Sequence, residues 1–342
     1  GESGRVWVKL LLPIVLISGF ALVLGLVFLS GALAYRSGWR PAEIPKYLQN
    51  EFNRLINTPP SLPVLAIDID FPNLETVRAK REEAMEQGFL SSSDGDFVNA
   101  TVTFDGRNIP VKMRLKGDNS NHWNTDKWSF RVHTKREARI LGMKRFSIHG
   151  AHIRGFHHEQ GFVDTLFHEN VLATRFRFIK VEMNGRDLGI YNIEESMSKE
   201  LVEAGGRRQG VILAADQSAW WDYYGNAGAQ AVSGSVLPLG FRGLHGQLRV
   251  FQDSSVAADP DLSSQAETAI ARYRAFQDGS LKPSEVFDVG VTAKYLAVVD
   301  LWAADHATEV ANIRWFYNPV TTKLEPIGND GAPWVHELRE AV

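Results

Sequence analysis

The feature that most constrains this chain is a period of two. In "NATVTFDGRNIPVKMRLKGD" (99–118) two alternating runs flank Asp105-Gly106, a pair that suits the two-residue turn of an antiparallel hairpin. Side chains alternate across a strand, so Ile109, Val111, Met113 and Leu115 share one face, and Lys112, Arg114 and Lys116 share the other. Three cations on one face leave two readings open, a solvated strand face or a surface that binds phosphate.

The same alternation recurs. "LPVLAIDID" (62–70) reads as a strand, "KWSFRVHTK" (127–135) as another, with Trp128, Phe130 and Val132 inward and Lys127 and Arg131 opposite, and "MKRFSIHG" (143–150) as a fourth. "FRFIKVEMNGRDLGIYNIEES" (176–196) reads as a second hairpin turning at Asn184-Gly185. Helical spacing appears at 73–88, ended by Gly88, and at 159–175, where Phe162, Leu166, Val171 and Leu172 fall near one side. Glu169 on that helix faces either a lysine across the sheet or solvent. After Ser196 the pattern predicts helices near 197–204, 262–277 and 285–304, with a Gly/Ala/Ser-rich stretch (225–245) between them. A sheet-rich half followed by a helical half predicts an α+β, two-lobed body, with an antiparallel-sheet-rich N-lobe (61–196) and a helical C-lobe (197–342). The abrupt end at Val342 leaves open whether that C-lobe is complete.

A different constraint acts on the N-terminus. Leu10 to Ala34 holds 25 residues without a charge, and roughly 20 helical residues cross a bilayer core. This predicts one transmembrane anchor (10–34) between a short tail (1–9) and a linker (35–60). Arg5 and Lys9 on one side nearly balance Arg36, Arg40 and Lys46 on the other, so the positive-inside rule leaves the side of the soluble part open. The formal net charge is −3, with no global basic field of the kind that nucleic-acid partners select. Cysteine is absent, which excludes disulfides, Cys-based zinc sites and thiol nucleophiles.

His149, His152, His157 and His158 crowd what reads as one loop, without the helical spacing of a zinc site. "SAWWDYYGN" (218–226) reads as a packing plug or lid, or as a sugar-stacking platform. Asp68 and Asp70 share a strand face without a groove to pair them as glycosidase carboxylates.

The stretch "DHATEVANIRWFYNPVTTKLEPIGND" (305–330) places Asp305 after a helix, Asn312 before one strand and Asp330 after the returning strand. One acid that orients a hydroxyl, followed by an amide and an acid that hold Mg²⁺ on phosphates, is the order found in phosphoryl-transfer sites. With "IPVKMRLKGD", "LGMKRFSIHG" and "VEMNGRDLGIYNIEE" upstream, the chain resembles the CotH kinase family, a spore-coat-protein-H-like group of atypical kinases, over residues 62–330. The resemblance implies a distant, trimmed protein-kinase-like fold that binds ATP with Mg²⁺ and phosphorylates a Ser/Thr hydroxyl of a protein acceptor. It implies Asp305 as the catalytic aspartate and Asn312 and Asp330 as metal residues. It also implies Arg114, Lys116 and Lys127 on the nucleotide phosphates, and Ile193 and Glu194 of "YNIEE" at an interlobe hinge near adenine. The Asp305-to-Asn312 spacing is longer than the family's, which keeps a second reading: a non-catalytic pseudokinase scaffold for coat or envelope assembly.

Overall fold

Seven alternating strands close on themselves. The computed structural model describes residues 61–216, 248–310 and 312–332. Strands β1 (Val64–Asp68), β2 (Val98–Phe104), β3 (Arg107–Leu115), β4 (Phe130–Thr134), β5 (Arg145–Gly150), β7 (Phe176–Met183) and β8 (Arg186–Glu195) form a closed barrel in the order β1-β2-β3-β4-β5-β8-β7. Every pairing is antiparallel except β1 with β7, the parallel seam that closes the ring. Leu65, Val102, Val111, Met113, Val132, Phe146, Ile148, Val181 and Ile193 fill the interior and are shut off from solvent. The alternation therefore sends Lys112, Arg114 and Arg131 to the outer face.

The turns are made by the residues that tolerate them. Asp105 and Gly106 (φ 48° and 69°), and Asn184 and Gly185 (φ 48° and 76°), sit in the left-handed region that the favoured hairpin turns require. Asn184 does a second job: its side chain accepts from the Ile69 N–H and donates to the Ile69 carbonyl, both at 2.9 Å, tying this hairpin to the end of β1. Helix α1 (Phe71–Gln87) begins at Asp70, whose carboxylate caps the Asn73 N–H, and ends at Gly88. It buries Val77 and Ala84 against β2 and β3.

A second sheet has the order β10-β9-β11-β12-β6, from β6 (Leu172–Ala173), β9 (Ile212–Ala215), β10 (Leu248–Val250), β11 (Arg314–Asn318) and β12 (Lys323–Gly328). Helices α2 (His158–His168) and α7 (Val289–Trp302) pack Phe162, Val163 and Leu166 against Tyr295, Val298 and Val299. Helices α3 (Lys199–Ala204), α4 (Asp253–Ala257), α5 (Pro260–Gln277) and α6 (Pro283–Val286) complete the described elements.

This architecture corrects the expected two-lobed, protein-kinase-like fold. The first part is a closed barrel rather than an open lobe sheet, and the second is built on a five-stranded sheet rather than on helices alone. The seam that closes the barrel pairs Val64 with Lys180, a contact no local pattern reports. The β11–β12 hairpin matches the two strands expected after Asn312, whereas β6, β9 and β10 carry no sequence signal: they are short, and the apolar run of β9 is buried along its whole length and shows no alternation. The helix expected over 159–175 stops at His168, where Asn170 takes φ 59°, and Leu172 joins the second sheet. The helix expected over 285–304 is interrupted at Asp288, which caps α7 through the Val291 N–H.

The anchor expected at 10–34, the linker at 35–60, the aromatic cluster at 218–226 and the Gly/Ala/Ser-rich stretch lie outside the described residues. Among the described residues, no helix is long and apolar enough to cross a membrane.

Candidate functional site

The outer face of the barrel carries cations in rows. Arg114 of β3 lies directly opposite Arg131 of β4, Arg131 lies opposite Ser147 of β5, and Ser147 lies opposite Glu194 of β8. One pleat along, Lys112 faces His133, which faces Arg145. One pleat the other way, Lys116 reaches His149, with 3.4 Å between Nζ and Nε2. These rows form one wall of a cleft of about 580 Å³; Arg249, Phe251, Arg314, Asn329 and Asp330 also line it.

Like charges directly opposite on paired strands repel. Burial and the neighbouring Arg131 push the Arg114 guanidinium down to about 10, against the pull of Asp96, Asp94 and Asp118. Arg131 is also lowered, first by burial and then by Arg249 and Arg145, against Glu194 and Asp118. The buried Nε atoms of Arg114 and Arg131 have no hydrogen-bond partner among the described residues. His133 is pushed down to about 3 by burial and by Arg145, Arg131, Lys112 and Arg114, so it stays neutral within a positive field.

Arg154 organises the other end. It follows β5 in a 3-10 turn (Ala151–Arg154) and donates both to Glu194, at 3.3 Å, and to the Asp330 carboxylate. Glu194 also takes His149 Nε2 at 2.8 Å and lies 3.7 Å from Lys116 Nζ. Burial works to raise the Glu194 pKa, but Arg154, Lys116 and His149 together hold it well below the usual carboxylate range. Asp330 behaves alike: burial is outweighed by Arg154 and His306, and it stays ionised. Lys116, buried beside this acid, is brought down to about 8 by desolvation, with Glu194 pulling the other way.

Asp330 sits at φ 50°, an uncommon conformation for a residue other than glycine, and several groups hold it there. Glu159 of α2 accepts the Gly331 and Ala332 N–H groups, each at 3.1 Å, and His306 Nδ1 approaches the Asp330 carbonyl at 2.8 Å. The bond to Asp330 raises His306 to about 9, against burial.

The structure thus brings Arg114, Lys116, Glu194 and Asp330 to one cleft. Asn312 stands behind it: its side-chain amide donates to the His306 carbonyl at 3.0 Å, one step from Asp330. Asp305 opens the 3-10 turn Asp305–Thr308 next to His306, is exposed, and is not among the residues lining the cleft. Lys127 is elsewhere, ahead of β4, with Nζ on the Ile190 carbonyl at 3.0 Å and over the Tyr191 ring. Ile193 is sealed in the barrel core, and "YNIEE" (191–195) is the C-terminal half of β8, paired with β5 on one side and β7 on the other, so it forms no hinge.

Arg154, Glu159, Arg249 and His306 escaped sequence reading because they enter from separate elements. His149 did carry a signal. It shares the outward parity of Arg145 and Ser147 on β5, and it is a buried strand residue bonded to Glu194, not a polar loop histidine. Glu169 meets Lys294 of α7 at 3.3 Å rather than a lysine across the sheet.

Oxygen donors of the kind Mg²⁺ takes adjoin at one place, where the Asp330 carboxylate is also gripped by Arg154 and His306. Asp330 supplies an ionised carboxylate, and the buried Oδ1 of Asn329 beside it lacks a hydrogen-bond partner among the described residues. These are hard oxygen donors, and Mg²⁺ takes only one or two from protein when phosphates and water supply the rest. No cluster of three or more histidine or acidic side chains arranged for a metal occurs among the described residues.

No protein-family model matches the chain, and no curated protein matches it.

Proposed function

We propose that this cleft binds the triphosphate of ATP and that the chain transfers the γ-phosphoryl group, with Mg²⁺, to a serine or threonine hydroxyl of a protein. The observation that carries the reading is Arg114 opposite Arg131, two cations in a cleft that Asp330 and Lys116 also line. Like charges directly opposite on paired strands repel, and an anion set between or above them would relieve that repulsion.

Arg114, Arg131 and Lys116 hold the phosphate oxygens, and Asp330 with Asn329 holds the metal. Mg²⁺, when bound, would supply positive charge that stabilises the negative charge developing in the transfer. The acceptor oxygen bonds to the γ-phosphorus as the bond from that phosphorus to the β–γ bridging oxygen breaks. ADP leaves, and the hydroxyl proton passes to a nearby base. Asp305, next to His306, is the candidate for orienting that hydroxyl. Tethering through residues 10–34 belongs to the same proposal and is supported by the uncharged run of 25 residues there.

The test is γ-phosphate transfer by the purified full chain in detergent, alongside calorimetric titration with Mg-ATP. Asp330→Asn and Arg131→Gln are expected to lose about tenfold or more in nucleotide affinity, about 1.4 kcal/mol per decade. Unchanged affinity in both variants overturns the assignment. The exposed position of Asp305 supports a second reading, nucleotide binding without transfer by a scaffold. Asp305→Ala separates them, because it abolishes transfer under the first reading and changes nothing under the second.

A further inference from the structure

The cleft holds more positive charge than a triphosphate uses. Lys116 and Arg154 are engaged by Glu194 and Asp330, and the Arg114–Arg131 row lies next to them. Beyond that row along the barrel stand Lys112 and Arg145, and Arg249 of β10 enters the same cleft at their border with the row, where its charge acts on Arg131 and Arg314. Strand residues advance about 3.4 Å each, so Lys112 lies roughly 14 Å along β3 from Lys116. A triphosphate anchored at Asp330 and Lys116 is spanned by the first two rows and leaves this third group uncovered.

Two aromatic rings shape the uncovered group. Lys112 Nζ lies 4.7 Å from the centre of Phe97, and the Arg249 guanidinium 5.1 Å from the centre of Phe251. Each cation is held over a ring face, and the same rings carry Arg114 and Arg314, at 5.2 and 5.6 Å, where this group joins the rest of the cleft. Of the acids lining this side of the cleft, Glu195 is gripped by Arg175, which leaves Asp94 and Asp253 against three cations. Neutral His133 between Lys112 and Arg145 adds no compensating charge.

We infer that Lys112, Arg145 and Arg249 form an acceptor subsite for acidic peptide, so that the receiving serine or threonine lies beside aspartate or glutamate residues in its substrate. This rests on the phosphotransfer reading for the word acceptor, but the binding itself is independent of it. Carboxylates arriving on a peptide neutralise a third group that nucleotide leaves exposed, and the reacting hydroxyl is brought to the triphosphate end of the same cleft.

The experiment uses the full chain and two labelled serine peptides, one with glutamates around the serine and one with lysines, read by fluorescence anisotropy. A parallel titration uses inorganic tripolyphosphate, and a thymidine homopolymer serves as competitor. Lys112→Glu is expected to weaken the glutamate peptide about tenfold or more while tripolyphosphate affinity stays within about twofold, and Arg249→Glu, beside Arg131, is expected to weaken both. Arg249→Gln is expected to give a smaller loss in the same direction. Tighter binding of the lysine peptide, or glutamate-peptide binding indifferent to both charge reversals, overturns the inference. So does a homopolymer that binds tighter than the peptide at equal salt, which assigns the patch to nucleic acid. If tripolyphosphate and ATP fail to bind while the glutamate peptide still depends on Arg249, the subsite stands and the phosphotransfer reading falls.

Discussion

Arg154 and Asp330 meet across 176 residues of chain, and the pair is largely sealed from solvent, with 9% and 20% of their side chains exposed. The same guanidinium touches Glu194, so one cation stands between two carboxylates contributed by the barrel and by the end of the second sheet. A buried pair of this kind is weak evidence for stability in itself, because desolvation offsets attraction. Its removal from one side is another matter. Arg154→Met leaves Glu194 to Lys116 and Asp330 to His306, and removes the one cation shared by both carboxylates. The expected loss is about 3–5 kcal/mol in urea unfolding, and Asp330→Asn added to it should recover part of that loss instead of adding to it.

Arg131 makes the opposite case. Its charge faces Arg114 and is lowered by burial and by the cations around it. Arg131→Met keeps the aliphatic stem on the barrel and removes the repulsion. The unliganded fold should gain on the order of 0.5–1 kcal/mol, while tripolyphosphate affinity falls about tenfold. Thermal melts with and without tripolyphosphate check both halves: the ligand-induced rise in Tm should shrink as the ligand-free Tm climbs.

The two halves of the site differed in legibility for a physical reason. Alternation is local, so the outward face of Lys112, Arg114 and Lys116 could be read from β3 alone, and the two hairpin turns from Asp105-Gly106 and Asn184-Gly185. Which strand lies beside which is not local. The register that sets Arg114 against Arg131, the seam between β1 and β7, and the arrival of Arg249 from the far sheet depend on pairings among distant segments. The net charge of −3 concealed the cationic cleft because acids elsewhere balance it. Asp305 and Asp330 were read as a pair from their order; the structure joins them only through His306, adjacent to one and hydrogen-bonded to the other.

His149 sets a pH dependence. It is fully buried, and burial followed by Lys116 brings it down to about 3, although Glu194 pulls upward. Its unfolded value is near 6.5, so the unfolded chain takes up the proton first. The contribution is complete above about pH 6.5 and is lost as pH falls toward 3, amounting to about 2 kcal/mol at pH 5. Glu159 runs the other way: burial raises it to about 7, so its contribution is lost as pH rises from the unfolded value near 4.5 through 7. The readout is therefore a difference. Urea midpoints of the parent and of His149→Gln, compared at pH 7.5 and pH 5, should show the smaller acid loss in the variant.

Gly161 couples the helices behind the site. A Cβ at this position of α2 would lie 2.4 Å from the Trp302 ring on α7, and that ring is pinned by its Nε1–H donating to Thr165 Oγ1 at 3.0 Å. Alanine favours a helix over glycine by about 1 kcal/mol, but the ring has to move, and overpacking of this sort costs about 1–3 kcal/mol. Gly161→Ala should therefore destabilise the fold, and Trp302→Phe in the same chain should restore most of the loss by removing the colliding edge. Trp302 ends α7 just ahead of Asp305, whereas Arg114 and Arg131 are fixed by the barrel. Displacing the helix end should leave tripolyphosphate affinity within about twofold while phosphate transfer drops about tenfold. Equal losses in binding and transfer would mean that Asp305 has no separate part in the chemistry.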